Sequence, residues 1–200
     1  MQYRNKQGGF TIIELIVVLV LVGFVTSSMY IFFNNSFSQY LGLQQESSTY
    51  TDLVRQSQRI STVVRTATDI SLAEANQLEM YAYFWPNDSY ASRIKYYLVD
   101  GNTKLVADVT PMSANPPLGA PIESQKKTYT IIDPYYYTSS TDLFVYLDSS
   151  GASLTLPITD LYTIKGVKTN VAVPNRTVVP TTTANTISVQ VTLRNRKTNL

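Results

Sequence analysis

Gly8-Gly9-Phe10-Thr11-Ile12-Ile13-Glu14-Leu15 opens a run of Ile, Val, Leu and Phe that reaches Phe33. A short basic leader ends in a glycine pair, and a nearly unbroken apolar helix is predicted directly after it. Phe10 to Phe33 is 24 residues, about 36 Å of helix at roughly 1.5 Å per residue. That length crosses a hydrocarbon core of about 30 Å. Arg4 and Lys6 precede the run with no acid among them. The positive-inside rule therefore expects the leader in the cytoplasm and the rest of the chain outside. Glu14 is the one charge within the run. A charged side chain at the bilayer centre costs about 2.5–3.5 kcal/mol on insertion scales. Its presence points to a partner, or to a depth at which it stays hydrated.

Three readings of this N-terminus compete. A cleavable secretory peptide needs a small-residue cleavage site after the apolar stretch. Val25-Thr26-Ser27-Ser28 serves that purpose poorly, and Glu14 stays unexplained. A plain signal anchor tolerates Glu14 but requires neither it nor Gly8-Gly9. The third reading is a resemblance. Gly9-Phe10-Thr11-Ile12-Ile13-Glu14-Leu15-Ile16-Val17-Val18 resembles the N-terminal signature of type IV pilins and of the pseudopilins of type II secretion. The resemblance implies cleavage by a prepilin peptidase between Gly9 and Phe10, followed by N-methylation of Phe10. It also implies a salt bridge in assembly between Glu14 and the N-terminal amine of a neighbouring subunit. An unpaired carboxylate is expensive in low dielectric and a paired one much less so. Such a pair would set axial register while the apolar helices supply non-directional packing.

Composition narrows the function further. The formal net charge of +2 contains Arg4 and Lys6, so residues 10–200 carry equal numbers of basic and acidic side chains. No Lys/Arg stripe appears, and direct nucleic-acid binding is not expected. Cysteine and histidine are both absent. The chain thus lacks a disulfide, the usual zinc ligands, a Ser-His dyad and a thiol nucleophile. No pair of acids stands out for carboxylate catalysis. The expectation is a protein with no catalytic residues, no metal and no cofactor.

Beyond Asn34-Asn35-Ser36 the chain turns amphipathic. Leu53, Val54, Ser57, Ile60, Val63, Val64, Ala67 and Ile70 recur at helical spacing, while Arg55, Arg59 and Arg65 fall on the solvated side. This predicts one helix from Phe10 to about Ala67, bent near Gly42. Two helices hinged within residues 34–48 are the alternative. Residues 10–40 hold no proline, so any softening there would rest on Gly23.

The remainder reads as β-rich. Expected strands are Leu78–Trp85, Arg93–Val99, Lys104–Val109, Lys127–Ile132, Leu143–Leu147, Ala152–Leu156, Val167–Val173 and Thr186–Arg194. Asp100-Gly101-Asn102-Thr103 is a hairpin signal between the second and third. Asp148-Ser149-Ser150-Gly151 is a turn between the fifth and sixth. Ile187, Val189, Val191 and Leu193 share one face of the last strand, and Ser188, Gln190 and Thr192 the other. Met112–Ile122 and Pro174–Asn185 are expected loops. Asn87-Asp88-Ser89 and Asn175-Arg176-Thr177 match a glycosylation sequon but read equally as turns. Asp100 and Asp148 form no recognisable calcium loop.

The fold class is therefore α+β, a long N-terminal helix packed on an antiparallel β-sheet domain. The expected divisions are a leader at 1–9, a transmembrane assembly helix at 10–33, its amphipathic continuation at 34–70 and an extracytoplasmic β-rich domain at 71–200. The segments Leu53-Val54-Arg55, Ile94-Lys95-Tyr96-Tyr97-Leu98-Val99-Asp100-Gly101, Lys104-Leu105 and Val189-Gln190-Val191-Thr192-Leu193-Arg194-Asn195-Arg196 are similar to those of minor pilins and pseudopilins of the J/W type. That likeness implies a subunit that initiates or caps a filament. A major pilin, or a signal-anchored monomeric surface binding protein, are the alternatives. The resemblance implies as partners other pilin subunits through the N-terminal helix, the prepilin peptidase and an inner-membrane assembly platform. It implies passage from the cytoplasmic membrane to a filament or the cell surface. Tyr135-Tyr136-Tyr137 is a candidate partner contact, because tyrosines give large contact area at low entropic cost.

Overall fold

The computed structural model describes residues 11–174 and 184–194. Helix α1 runs from Ile12 to Arg65, and residues 34–48 are helical throughout. The two-helix alternative is therefore not what the chain adopts. Contacts divide the protein into two compact units, residues 1–45 and 46–200. In the first, α1 presents apolar side chains on every side. Ile12, Leu15, Val18, Leu21, Phe24, Phe32 and Phe33 are all at least half exposed. A helix that is apolar all round belongs in a core or a membrane. Ile12–Arg65 is long and apolar enough over its N-terminal part to cross one.

In the second unit the last turns of α1 bury one face. Leu53, Ser57, Ile60, Ser61, Val63, Val64 and then Ala67 are within a tenth of full burial. Ser57 and Ser61 lose no hydrogen bond there. Each donates its hydroxyl to a main-chain oxygen of the preceding turn, Val54 and Ser57 respectively, at 2.8 Å. Small hydroxyl side chains so satisfied keep the packed face of the helix narrow. The helix closes with short-range bonds from Thr66 N–H to Val63 O and Ala67 N–H to Val64 O, both 3.0 Å. Such bonds tighten a final turn.

The chain then enters β1 (Asp69–Ala73), which corrects the sequence reading at Ile70. Ile70 fits the helical spacing of the stripe, yet it sits in this strand, buried in the same core. An inward residue in the first strand after a helix continues the apolar register without continuing the helix. Strands β2 (Gln77–Ala82), β3 (Ser92–Val99), β4 (Lys104–Pro111) and β5 (Lys127–Ile132) complete a five-stranded antiparallel sheet in sequential order. In β2, Leu78, Met80 and Ala82 are buried while Gln77, Glu79 and Tyr81 are only partly so. The alternation is regular although the residue types conceal it, because Tyr81 occupies an outward position. The β3–β4 turn has three consecutive residues at positive φ, Asp100 at 53°, Gly101 at 66° and Asn102 at 69°. Asp, Gly and Asn are the residues that tolerate that region.

A second antiparallel sheet consists of β6 (Phe144–Leu147), β7 (Gly166–Pro174) and β8 (Ala184–Thr192), in that order. Ile187, Val189, Val191 and Leu193 face inward relative to Ser188, Gln190 and Thr192, as the alternation implies. Ala152–Leu156 is not a strand. Only Ser153 makes an isolated bridge to Leu147, with Leu154 N–H on Tyr146 O at 2.8 Å. Its residues follow the edge of β6 for one step, and Pro157 leaves no room to extend the pairing.

Helix and both sheets share one core. Tyr96 of β3 meets Phe144 of β6 with ring centroids 6.4 Å apart. Tyr146 of β6, almost fully buried, donates its hydroxyl to Glu74 O at 2.9 Å and Gln77 O at 3.0 Å, the two ends of the β1–β2 turn. The phenol supplies a donor to Glu74 O and a second one to Gln77 O, which also accepts the Glu74 N–H at 2.9 Å across the turn. Phe144 N–H reaches Ala75 O in the same turn at 2.9 Å.

Candidate functional site

Thr11 is the N-cap of α1, and Glu14 is three residues on. The Glu14 N–H donates to Thr11 Oγ1 at 3.3 Å, and Glu14 Oε2 accepts the Thr11 main-chain N–H at 2.9 Å and its hydroxyl at 3.0 Å. This is a capping box, in which two helix-end donors are satisfied reciprocally. The carboxylate is also well placed against the positive end of the helix dipole. The sequence reading gives Glu14 an external partner; the structure adds Thr11 as an internal one. The signal was present as Thr-x-x-Glu immediately before an apolar run. Both internal bonds fall on Oε2, so Oε1 has no hydrogen-bond partner among the described residues.

Around this carboxylate the first unit offers only apolar surface. Ile12, Ile13, Leu15 and Ile16 are each at least half exposed. Further along, Thr26 turns its hydroxyl back onto Val22 O at 2.8 Å, which hides its polarity from an apolar environment. Glu14 is therefore the one ionisable side chain on residues 11–45 of the described helix with a position defined by hydrogen bonds. Gly9 and Phe10, the expected cleavage and methylation positions, lie outside the described residues.

The tyrosine cluster is divided by the fold. Tyr135 is buried, with its N–H on Thr103 O at 2.6 Å and its hydroxyl on Asn170 O at 3.4 Å. Burial pushes its phenol up to about 12, with a smaller contribution from Tyr137. Tyr135 thus joins the β3–β4 turn to β7 and presents no contact surface. Tyr136 is half-buried, its N–H on Ala172 O at 2.9 Å. Tyr137 is exposed, and its hydroxyl oxygen accepts from Asn76 Nδ2 at 3.5 Å. Of the three, only Tyr137 stands at the surface. Sequence reasoning could not sort them, because three identical neighbours carry no periodicity.

Arg59 also departs from expectation. Its guanidinium lies over the rings of Phe84, at 4.7 Å, and Trp85, at 4.3 Å. It is a wall of the aromatic cluster and not part of a solvated face. Asn87-Asp88-Ser89 forms a turn, with Asp88 N–H on Trp85 O at 3.2 Å and Asp88 Oδ2 accepting from Trp85 N–H at 2.9 Å. The second sequon lies outside the described residues. Among the described residues no group of three or more Asp or Glu could hold a metal ion.

No curated protein matches the chain. Residues 4–30 match the family described as the prokaryotic N-terminal methylation motif. The chain carries a prepilin-like signature over that span, which includes Gly9, Phe10, Thr11 and Glu14 and ends within the exposed apolar stretch of α1.

Proposed function

We propose that this chain is a membrane-anchored pilin-like subunit, cleaved between Gly9 and Phe10, N-methylated at Phe10, and assembled through α1 into a type IV pilus-like filament. The observation that carries the reading is the capped carboxylate of Glu14, held in the first turn of an all-round apolar helix inside the methylation motif. Cleavage before Phe10 would leave Thr11 and its N–H in place, so the capping box survives processing. Glu14 then offers Oε1, already oriented, to the α-ammonium of Phe10 on a neighbouring subunit. Pairing removes the cost of a bare charge among apolar helices, and it works at one axial register only.

Within that reading the chain is a minor subunit of the J/W type, acting at initiation or at the tip. Of the segments on which that likeness rests, Leu53–Arg55 lies in α1, Ile94–Leu105 in the β3–β4 hairpin and residues 189–192 in β8, while Asn195 and Arg196 lie outside the described residues. The role is structural, with other pilin subunits, the prepilin peptidase and an assembly platform as partners. Work to extract the helix from the membrane comes from the rest of the machine.

Glu14→Ala tests the reading in intact cells. The expected result is normal cleavage and membrane retention, with the chain lost from sheared surface filaments. Unchanged recovery in filaments contradicts the proposed pairing. Quantitative mass spectrometry of the same material tests the minor role, which requires far fewer copies of this chain than of the principal subunit.

A further inference from the structure

A cleft of about 540 Å³ opens beside the β2–β3 loop, at the end of the five-stranded sheet. Its floor is Val109 and Met112, both nearly fully buried. Trp85, Tyr90 and Tyr129 form its walls, and Trp85 and Tyr90 are each almost half exposed. Gln125 stands on the rim with one acid, Asp88, and one base, Lys127. The volume falls in the range of small-molecule sites, about 300–1,000 Å³, and the mixture of apolar floor and convergent polar groups is their usual make-up.

The walls are held in place from behind. Arg59 occupies one face of Trp85, and Tyr129 meets the indole edge-on at 6.1 Å and 81°. Phe84 stacks on Tyr129 at 5.1 Å. Asp88 fixes the loop by accepting the main-chain N–H of Trp85. On the far rim, the short 3-10 turn Glu123–Gln125 is pinned by the Arg93–Glu123 ion pair at 2.6 Å and by Gln125 N–H on Ile122 O at 2.9 Å. Trp85, almost half exposed and held in this way, loses little entropy when a ligand covers it.

We infer that this cleft is a binding site for a neutral saccharide, best suited to an N-acetylated hexosamine unit. The charge on the rim cancels, which favours neither an anion nor a cation. The faces of Tyr90 and Trp85 are electron-rich, and the axial C–H groups of a pyranose present a matching weakly positive, apolar face. Asp88 and Gln125 have planar side chains that can bridge adjacent ring hydroxyls. The apolar floor of Val109 and Met112 suits an acetamido methyl group. The inference does not rest on the role proposed for Glu14.

Trp85 is the only tryptophan in the chain, so its emission reports this wall alone. The full-length protein, in a micelle of a detergent without a sugar headgroup, is titrated with N,N′-diacetylchitobiose, with maltose, and with a short proline- and tyrosine-containing peptide. The account expects a saturable change in Trp85 emission with N,N′-diacetylchitobiose. It expects affinity to weaken by about tenfold or more in Tyr90→Ala or Gln125→Ala, both surface positions, with the thermal melt unchanged. No saturable response to N,N′-diacetylchitobiose, tighter saturation by maltose, a response equal in wild type and both variants, or saturation by the peptide alone would overturn the inference.

Discussion

Glu14 Oε2 accepts two hydrogen bonds from one residue, the main-chain N–H of Thr11 at 2.9 Å and its hydroxyl at 3.0 Å. The carboxylate is thereby aimed before any partner arrives. Thr11→Ala keeps the first bond and loses the second, together with the acceptor for the Glu14 N–H. Loss of an N-cap hydroxyl frays the first turn. Hydrogen exchange of the full chain in micelles should then be several-fold faster at Ile13 to Leu15, with residues 50–65 unchanged. Filament recovery should fall less than in Glu14→Ala, since the charge remains.

Tyr146 ties the second sheet to the β1–β2 turn through its buried hydroxyl. Tyr146→Phe keeps the ring and leaves two turn carbonyls without that donor. The expected cost is about 1–2 kcal/mol, read as a lower urea midpoint of the full-length protein. A midpoint equal to wild type would mean that water replaces the phenol at no loss.

Asp108 and Lys126 give the β-rich unit a pH dependence. Their atoms Oδ2 and Nζ are 2.6 Å apart, and Thr128 and Tyr97 donate to the same carboxylate. Burial opposes ionisation of Asp108, but the hydrogen bonds from Lys126 and Thr128 outweigh it and hold the carboxyl below its ordinary value. The hydrogen bond to Asp108 is the main cause that raises Lys126. The Asp108 contribution is thus complete above the unfolded-state value of about 3.9 and lost as pH falls through the lower folded value. The Lys126 contribution is complete below about 10.4 and lost as pH rises through its raised value. Asp108→Asn should lower the melting temperature at neutral pH and remove part of the acid-side decline in a series of melts.

Gly119 admits no side chain. A Cβ there would stand 1.9 Å from the main-chain oxygen of Ala114. Backbone has to move to make room, at a cost of about 1–3 kcal/mol. Gly119→Ala should lower the melting temperature and speed exchange at Ser113, whose N–H donates to Ala120 O, and at Ala120, whose N–H donates to Ser113 Oγ.

The legible parts of the sequence are those where one physical requirement dominates. The apolar run and its single acid announce α1 because a stretch of apolar residues this long, without proline, has few solutions other than a helix. Asp100-Gly101-Asn102 announces the β3–β4 turn because three positive φ angles leave little choice of residue. Val189, Val191 and Leu193 alternate cleanly because only one face of β8 is covered. Legibility fails where two periods agree or where long-range contact decides. Ile70 satisfies both a helical stripe and an inward strand position. Ala152–Leu156 has strand-like residues but only one bridge to β6. Arg59 looks solvated in sequence, and only the arrival of Phe84 and Trp85 from another element covers it. Within the candidate site, Glu14 was conspicuous because a charge among apolar residues is costly. Its partner Thr11 is inconspicuous in the sequence because a neutral hydroxyl at a helix start carries no such cost.

Processing at Gly9–Phe10 is read from the mass of the mature N-terminus. Membranes and sheared surface material are digested, and the N-terminal peptide is identified by mass spectrometry. The account expects a chain that begins with N-methylated Phe10. A chain that still begins with Met1, or one that begins near Ser28, would contradict it.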